Sequence, residues 1–234
     1  MIEVDSVRKT FRSGEQEVEA LRGVSCRVAR GRCAFIVGPS GSGKSTLLYL
    51  LGALDRPSSG TIRVHGRELT AMSEAEQNAY RRDEIGFIFQ SFNLIGNLTA
   101  VDNVLVPFLP RGITPEQRRK AAELLTDVGL GARLGHRPRQ LSGGEQQRVA
   151  IARALIKDPL VVLADEPTGE LDSKTGDEIY RILRRLQAER QTTLVVVTHD
   201  RRFITPDDIV LEIQDGRLRT DEKPEPYDDL AEVV

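Results

Sequence analysis

Short apolar runs alternate along this chain with longer segments in which apolar positions recur at helical spacing. Three of the runs, residues 34–37, 160–164 and 193–197, are almost wholly apolar. Continuous apolar runs of this length are typical of strands buried on both faces, and strands joined by helices form parallel sheets. The pattern therefore predicts an α/β fold with a mainly parallel central sheet.

Two parts of the chain depart from this pattern. Residues 1–35 contain short alternating stretches and a glycine turn, which predict an antiparallel β subdomain at the N-terminus. Between residues 90 and 159 the strand pattern almost disappears, and the spacing predicts a helix over residues 115–128. Thr114 is placed as the N-cap of this helix and Pro115 lies in its first turn. We therefore expect an inserted α-helical subdomain.

The length of 234 residues is sufficient for one large domain with a lobe inserted in it. We expect a single domain over residues 1–219, with the helical subdomain at about residues 91–159. Residues 220–234 are acidic and contain proline, which predicts a mobile tail.

Composition and charge exclude several classes of protein. Apolar residues make up 39% and charged residues 29% of the chain, as in ordinary globular proteins. No apolar run approaches the roughly 20 residues of a membrane-spanning helix, and no secretory signal pattern opens the chain. We therefore expect a cytoplasmic chain without a membrane span of its own. The net charge of −2, without a long basic run, argues against a nucleic-acid partner.

The clearest chemical motif follows the first predicted core strand. Residues 38–45 fit the phosphate-loop pattern GxxxxGK[ST] between a strand and a helix. Its glycines allow backbone N–H groups to surround phosphate oxygens, Lys44 would neutralise the β- and γ-phosphates, and the Ser45 hydroxyl would bind Mg²⁺. The alternative is a glycine-rich turn with an exposed lysine. The expected nucleotide contacts are Gly38, Pro39, Ser40, Gly41, Ser42, Gly43, Lys44, Ser45 and Thr46.

A second motif ends the apolar run at residues 161–164. Asp165 and Glu166 follow it directly, at the sheet edge where the phosphate loop also lies. Asp165 is suited to hold Mg²⁺ through a coordinated water, and Glu166 to polarise the water that attacks the γ-phosphate. The alternative is a strand end that carries two acids by chance. Together the two motifs predict a P-loop NTPase core of the RecA-like type.

A third motif narrows the class. Leu141-Ser-Gly-Gly-Glu145 precedes a helical segment and lies upstream of the Asp165-Glu166 strand. At a helix start, Ser142 and its two glycines offer a hydroxyl, backbone N–H groups and a favourable dipole, which is a second anion site. In isolation the motif would be read as a helix cap. In this order of motifs, the chain resembles the ATPase subunits of ABC transporters.

The resemblance implies a head-to-tail dimer of two copies of the chain that encloses two ATP molecules. The signature of one copy then closes over the ATP on the other copy's phosphate loop. Contacts made across the dimer are implied for Leu141, Ser142, Gly143, Gly144, Glu145 and Asp172. Asp172 belongs to a stretch that resembles the D-loop.

Other positions match the family residue by residue. Gln90 resembles the Q-loop glutamine, which reaches Mg²⁺ and the attacking water, and His199 resembles the switch histidine at the γ-phosphate. Phe11 stands where the family places an aromatic residue against adenine. The resemblance thus implies ATP and Mg²⁺ as cofactors. The implied catalytic residues are Lys44, Gln90, Glu166 and His199, ATP contacts include Phe11, Gln90 and His199, and the implied metal-binding residues are Ser45, Gln90 and Asp165.

The resemblance is greatest to the lipoprotein-release, macrolide-export and glycolipid-export group, through stretches such as residues 82–90, 165–169 and 172–176. It implies an integral membrane permease subunit that docks in the groove near Gln90. The chain would then be a motor for export of a lipid, lipoprotein, peptide or drug-like substrate. It would lie at the cytoplasmic face of the inner membrane, held there by the permease.

Two other functions remain open at this point. The membrane partner could regulate an envelope enzyme instead of moving a substrate, with the same ATPase chemistry. A soluble ABC ATPase that acts on DNA or ribosomes is disfavoured, because such relatives carry coiled-coil insertions or duplicated ATPase domains and this chain has neither.

Overall fold

The structure, a computed structural model, describes residues 1–14 and 16–219, so the tail predicted at residues 220–234 lies outside the described residues. Its strands are β1 (Ile2–Ser13), β2 (Gln16–Val28), β3 (Cys33–Val37), β4 (Ser59–Val64), β5 (Arg67–Glu68), β6 (Ile85–Ile88), β7 (Val161–Asp165), β8 (Thr193–Val197), β9 (Ile209–Gln214) and β10 (Arg217–Leu218). Its α-helices are α1 (Lys44–Leu51), α2 (Glu74–Asp83), α3 (Ala100–Leu105), α4 (Pro115–Asp127), α5 (Gly143–Leu155) and α6 (Ser173–Arg190).

The central sheet has the strand order β10-β9-β3-β8-β7-β6. The pairs from β9 through β6 are parallel, and β10 pairs with β9 in antiparallel fashion. Every residue of β3, β7 and β8 is buried, which is the reason their sequences are continuous apolar runs rather than alternating ones. The prediction of an α/β fold with a mainly parallel core is confirmed.

The N-terminal region forms a second sheet, in the order β2-β1-β4-β5. Its strands are antiparallel, with Ile2 opposite Val28 on one side and opposite Val64 on the other. Inward-facing residues of this sheet, among them Val7 and Leu21, pack with α1 and with one face of the central sheet. This packing fixes the helix that follows the phosphate loop.

Residues 91–159 contain α3, α4, α5 and short 3-10 turns, and no strand. The helices share one apolar cluster with the other face of the central sheet, to which Val104, Leu125 and Ile151 contribute. α5 also lies close against β6, because a Cβ on Gly86 would stand 2.5 Å from the Ala154 carbonyl oxygen. α5 therefore contacts both the other helices of residues 91–159 and the central sheet.

Some elements differ from the sequence expectations. The sequence predicts the helix after the phosphate loop over residues 45–54, whereas α1 ends at Leu51, and Ala53 has a φ of 50°, which is outside the helical region. At Gly52 the Phe87 ring leaves no room for a side chain, because a Cβ there would stand 1.9 Å from it. α2 was not predicted at all, although its capping box of Ser73 and Glu76 is present in the sequence. None of the helices within residues 1–14 and 16–219 combines the length and apolar character needed to cross a bilayer.

Candidate nucleotide site

The phosphate loop lies between the end of β3 and the start of α1. Gly38 and Gly43 have φ values of 145° and 105°, which side chains rarely adopt. A Cβ on Gly38 would stand 2.0 Å from the Ile213 carbonyl oxygen, and one on Gly43 would stand 2.5 Å from that of Ala20. Backbone conformation and space both require glycine at these two positions, so the loop is held closely between β9 and β2.

Lys44 begins α1 directly after the loop and is almost fully buried. Its ammonium group donates a hydrogen bond of 2.8 Å to the carbonyl oxygen of Pro39, across the loop. The N–H groups of the first helical turn, including those of Ser45 and Thr46, add the positive end of the helix dipole. The loop is therefore lined with positive charge and backbone donors, as binding of a nucleotide polyphosphate requires.

Asp165 ends β7, and its carboxylate oxygens accept two hydrogen bonds from α1. Ser45 Oγ donates to Oδ1 at 2.9 Å, and the Tyr49 hydroxyl donates to Oδ2 at 2.7 Å. Burial, and then the hydrogen bond to Asp165, raises the pKa of Tyr49 to about 12. Tyr49 was not identified from the sequence, although its position one helical turn after Ser45 puts both hydroxyls on one helix face.

The donor set at this point fits Mg²⁺. Within the described part of the chain, no three His, Cys, Asp or Glu side chains form a group suited to a metal. Mg²⁺ is instead commonly bound by one carboxylate together with nucleotide phosphates and waters, and it prefers oxygen ligands. A hydroxyl and a carboxylate 2.9 Å apart beside the phosphate loop supply that chemistry.

Glu166 and His199 come together at the ends of neighbouring strands. His199 Nδ1 lies 2.9 Å from Glu166 Oε2, and the Glu166 N–H donates to the Val197 carbonyl oxygen at 2.9 Å. Glu166 has a φ of 45°, an uncommon value for a residue with a side chain, which is found more often at functional sites. The imidazole is largely exposed while the carboxylate is mostly covered, so the pair presents one acid and one imidazole to the solvent side of the site.

Gln90 follows β6 and lies beside the segment after Glu166. A Cβ on Gly169 would stand 2.9 Å from Gln90 Nε2, so the absence of a side chain at Gly169 makes room for the Gln90 amide. The next turn contains Phe92 and Asn93, both with positive φ. Arg153 of α5 donates hydrogen bonds to the carbonyl oxygens of both residues, and burial lowers the pKa of its guanidinium. Arg153 was not identified from the sequence.

The signature residues form the start of α5. Ser142 is the exposed N-cap, and its Oγ accepts from the Glu145 N–H at 3.2 Å. Glu145 Oε2 accepts from the Ser142 N–H at 2.8 Å, which lowers the pKa of Glu145, and Arg133 lies 3.4 Å from its other oxygen. The carboxylate of Glu145 is therefore engaged within its own helix start, and the Ser142 side chain contributes to its lowered pKa.

The two signature glycines pack against the segment that leads into α6. A Cβ on Gly144 would stand 2.4 Å from Thr175 Cγ2, and one on Gly143 would stand 3.2 Å from Leu171 Cδ2. Asp172 caps α6 by accepting bonds from Thr175 Oγ1 at 2.6 Å and from its N–H at 3.1 Å, which lowers the pKa of Asp172. The start of the signature helix and the D-loop segment are therefore one packed unit.

Two buried side chains, Leu141 and Gln147, fix the start of the signature helix. Leu141 is buried in the apolar cluster, so it anchors the chain just before the signature serine. Gln147, which the sequence analysis did not identify, is fully buried and donates a 2.6 Å bond to the Pro167 carbonyl oxygen. The signature helix is thus joined to the segment that carries Glu166.

Phe11 lies on β1, on a different element from the rest of the site. It is 45% exposed, stands opposite Val18 of β2, and has the Lys9 ammonium 4.8 Å from its ring centroid. An exposed aromatic face of this kind is available for stacking.

Comparison with known proteins agrees with the motifs and the fold. The family model described as ABC transporter matches residues 21–169. An uncharacterized ABC transporter ATP-binding protein of Thermotoga maritima is 52% identical over 93% of both chains. The lipoprotein-releasing system ATP-binding protein LolD of Geobacter metallireducens is 45% identical over 94% of this chain and 99% of its own.

The next two comparisons are with a much longer protein and with a solved structure. The macrolide export ATP-binding/permease protein MacB 1/2 of Paracoccus denitrificans is 49% identical over 95% of this chain, which spans only 33% of that protein's length. A dimeric structure of the ATP-binding cassette MJ0796 in a post-hydrolysis state, bound to ADP and Pi, superposes with a TM-score of 0.86 at 42% identity. The superposition covers 95% of this chain and 98% of the MJ0796 chain. This chain therefore belongs to the ABC transporter family, as an ATP-binding cassette that hydrolyses ATP.

Proposed function

We propose that two copies of this chain assemble head to tail around two ATP·Mg²⁺ and that their closure drives a membrane permease for export. The observation that carries this proposal is the presence of two separate glycine-containing helix starts, each with the chemistry to bind an anion. One begins α1 at the phosphate loop, and the other begins α5 and packs against the D-loop segment. A single γ-phosphate uses both surfaces when they come from different copies of the chain.

Within one copy, the phosphate loop and Lys44 bind the β- and γ-phosphates. Ser45, Asp165 and Gln90 hold Mg²⁺, which when bound neutralises phosphate charge. Glu166 accepts a hydrogen bond from the attacking water and orients it in line with the γ-phosphate. His199, 2.9 Å from Glu166, holds that carboxylate and reaches the γ-phosphate with its exposed ring. Phe11 stacks on the adenine.

The second copy supplies the remaining charge stabilisation. Its Ser142 hydroxyl and the N–H groups at Gly143 and Gly144 donate to the γ-phosphate, together with the helix dipole of α5. Asp172 lies at the same face and carries the state of one nucleotide to the other. Hydrolysis removes the shared γ-phosphate and reopens the dimer.

The permease docks in the groove near Gln90, where residues 91–159 meet the core. A separate cleft of about 550 Å³, which Gln90 does not line, lies between the end of α2, at Arg82 and Asp83, and residues Phe108 and Arg111. Lys157, which lines the cleft, donates to the Arg81 carbonyl oxygen, and burial lowers the pKa of this lysine to about 8. The cleft offers charged and aromatic contacts to a cytoplasmic segment of a membrane protein. With such a partner, the proposed location is the cytoplasmic face of the inner membrane, where the permease holds the chain.

The names of the relatives support export. LolD belongs to a lipoprotein-releasing system and MacB to macrolide export. For this chain we accordingly propose a lipid, lipoprotein, peptide or drug-like substrate, whose contacts belong to the permease.

The test is the Glu166→Gln variant, compared with the parent protein by size-exclusion chromatography with ATP and Mg²⁺. Loss of the water-orienting carboxylate should reduce ATP hydrolysis by about 100-fold or more while binding persists, and the variant should elute as a dimer only with ATP. Parental activity should rise more steeply than linearly with protein concentration. Hydrolysis by Glu166→Gln at the parental rate, or parental activity strictly proportional to concentration, would contradict the proposal.

A further inference from the structure

Tyr49 makes a contact in the nucleotide site that the roles proposed above do not use. Its hydroxyl donates to Asp165 Oδ2 at 2.7 Å, while Ser45 Oγ donates to Oδ1 of the same carboxylate at 2.9 Å. The two donors lie one turn apart on α1, and residues at this spacing are neighbours on a helix surface. Two hydroxyls of one helix therefore hold the two oxygens of one carboxylate on the facing strand.

The two hydrogen bonds differ in what happens when the site is loaded. Ser45 is proposed to bind Mg²⁺ through a lone pair of the same Oγ whose hydrogen contacts Asp165, so the metal and the carboxylate share that hydroxyl. The contact from Tyr49 is made to the other oxygen and needs no change. Because the Tyr49 hydroxyl is not proposed to bind the metal, this contact sets the angle of the carboxylate independently of Mg²⁺, and with it the direction in which Oδ1 faces.

We propose that Tyr49 is a positioning residue that orients the Asp165 carboxylate for Mg²⁺ in the nucleotide site. The inference rests on the proposed role of Asp165 in holding Mg²⁺. Its physical basis is preorganisation: a carboxylate already turned toward the metal position loses less rotational freedom on binding than a free one.

The test is Tyr49→Phe, which removes one oxygen and keeps the ring. Binding of a methylanthraniloyl-labelled ADP is followed by fluorescence, first in EDTA and then with increasing Mg²⁺. ADP is used because it is not hydrolysed, so the readout is binding rather than activity. We expect the metal-free affinity to stay within about twofold and the Mg²⁺ concentration for half-maximal tightening to rise about fivefold, as for loss of one hydrogen bond.

Tyr80→Phe is the matched control. Tyr80 donates its hydroxyl to the Leu51 carbonyl oxygen at 3.0 Å, at the last residue of α1, and is fully buried. The same atom is lost from the same kind of side chain, so any general loss of stability should appear here as well. We expect the Mg²⁺ dependence of Tyr80→Phe to match that of the parent protein.

Asp165→Asn separates failure of this inference from failure of the proposed metal role. If Asp165→Asn weakens the Mg²⁺ dependence and Tyr49→Phe does not, the positioning role is wrong and the metal role stands. If neither variant changes it, the metal role of Asp165 is wrong as well. Equal loss of affinity by Tyr49→Phe with and without Mg²⁺ would also overturn the inference, because it would indicate a general effect on the site.

Discussion

At the scale of single residues, the packing of the site depends on glycines, because these positions have no room for a side chain. Gly144 leaves room for Thr175, whose hydroxyl is bound to Asp172, so Thr175 does not turn away without breaking that bond. Gly169 leaves room in the same way for the amide of Gln90. Glycines at these positions allow segments distant in sequence to pack directly on one another.

Gly144→Ala tests this packing. The new Cβ would stand 2.4 Å from Thr175 Cγ2, so we expect the free energy of unfolding to fall by about 1–3 kcal/mol, as for other overpacked sites. ATPase activity should fall with it, because the signature helix and the D-loop segment move apart. Gly135→Ala is the matched control, since a Cβ there meets nothing within 4 Å. Denaturant unfolding and an ATPase assay measure both effects, and equal behaviour of the two variants would contradict the argument.

Sequence reasoning placed the residues that belong to local motifs and missed those that join motifs to each other. Ser45 and Asp165 were expected at one sheet edge because strand ends and the phosphate loop share that edge. Tyr49, Gln147 and Arg153 were missed, since each acts through a partner 20 to 116 residues away in sequence. No short-range pattern of residues in the sequence predicts such distant hydrogen-bond partners. Only the helical spacing of Ser45 and Tyr49 offered a signal.

At the scale of elements, helix starts carry both stability and chemistry. Among the α-helices of the described residues, three have the same reciprocal capping box, formed by Ser73 with Glu76, by Thr114 with Gln117, and by Ser142 with Glu145. Only the last is proposed to contact a nucleotide. Comparing the three capping boxes therefore separates the effect of Ser142 on helix stability from its effect on ATPase activity.

We expect Ser73→Ala, Thr114→Ala and Ser142→Ala each to lower the free energy of unfolding by about 1 kcal/mol, the usual effect of losing an N-cap. ATPase activity should fall strongly in Ser142→Ala alone. Circular dichroism during denaturant unfolding and a phosphate-release assay provide the two measurements. Full activity of Ser142→Ala at parental ATP affinity would show that the signature hydroxyl does not contact phosphate.

The strands were easier to predict than the helices. β3, β7 and β8 are buried throughout, so their sequences are uniformly apolar and plainly visible. The polar helix α2 buries only Gln77 and Tyr80, and no apolar stripe marks it. Its capping box was the one available signal, which is weaker than periodicity because capping residues also occur in turns.

At the scale of the whole molecule, the proposed head-to-tail arrangement makes a quantitative prediction about mixtures of two variants. Lys44→Ala removes the phosphate-loop half of each site, and Ser142→Arg blocks the signature half. A mixed dimer contains one site with both defects and one site with neither. An equal mixture should therefore recover up to about one quarter of the parental ATPase activity, because half of the dimers are mixed and each has one intact site.

Each variant alone should be nearly inactive, and the rate of phosphate release after mixing reports the recovery. A mixture of the parent protein with Lys44→Ala serves as the control for subunit exchange. If each site were completed within one chain, mixing would restore nothing and the head-to-tail arrangement would be wrong.

Both ends of α5 are attached to other segments of the site. Its start packs against the D-loop segment, and near its end Arg153 donates hydrogen bonds to the turn at Phe92 and Asn93. Ser142 caps one end and Arg153 lies eleven residues further on, so the two are about 16 Å apart along the axis at the usual helical rise. Main-chain hydrogen bonds fix that length and the angle between the ends. An inserted residue within α5 would turn one end by about 100° relative to the other, so the helix tolerates exchange of side chains on its surface far better than any change in its length.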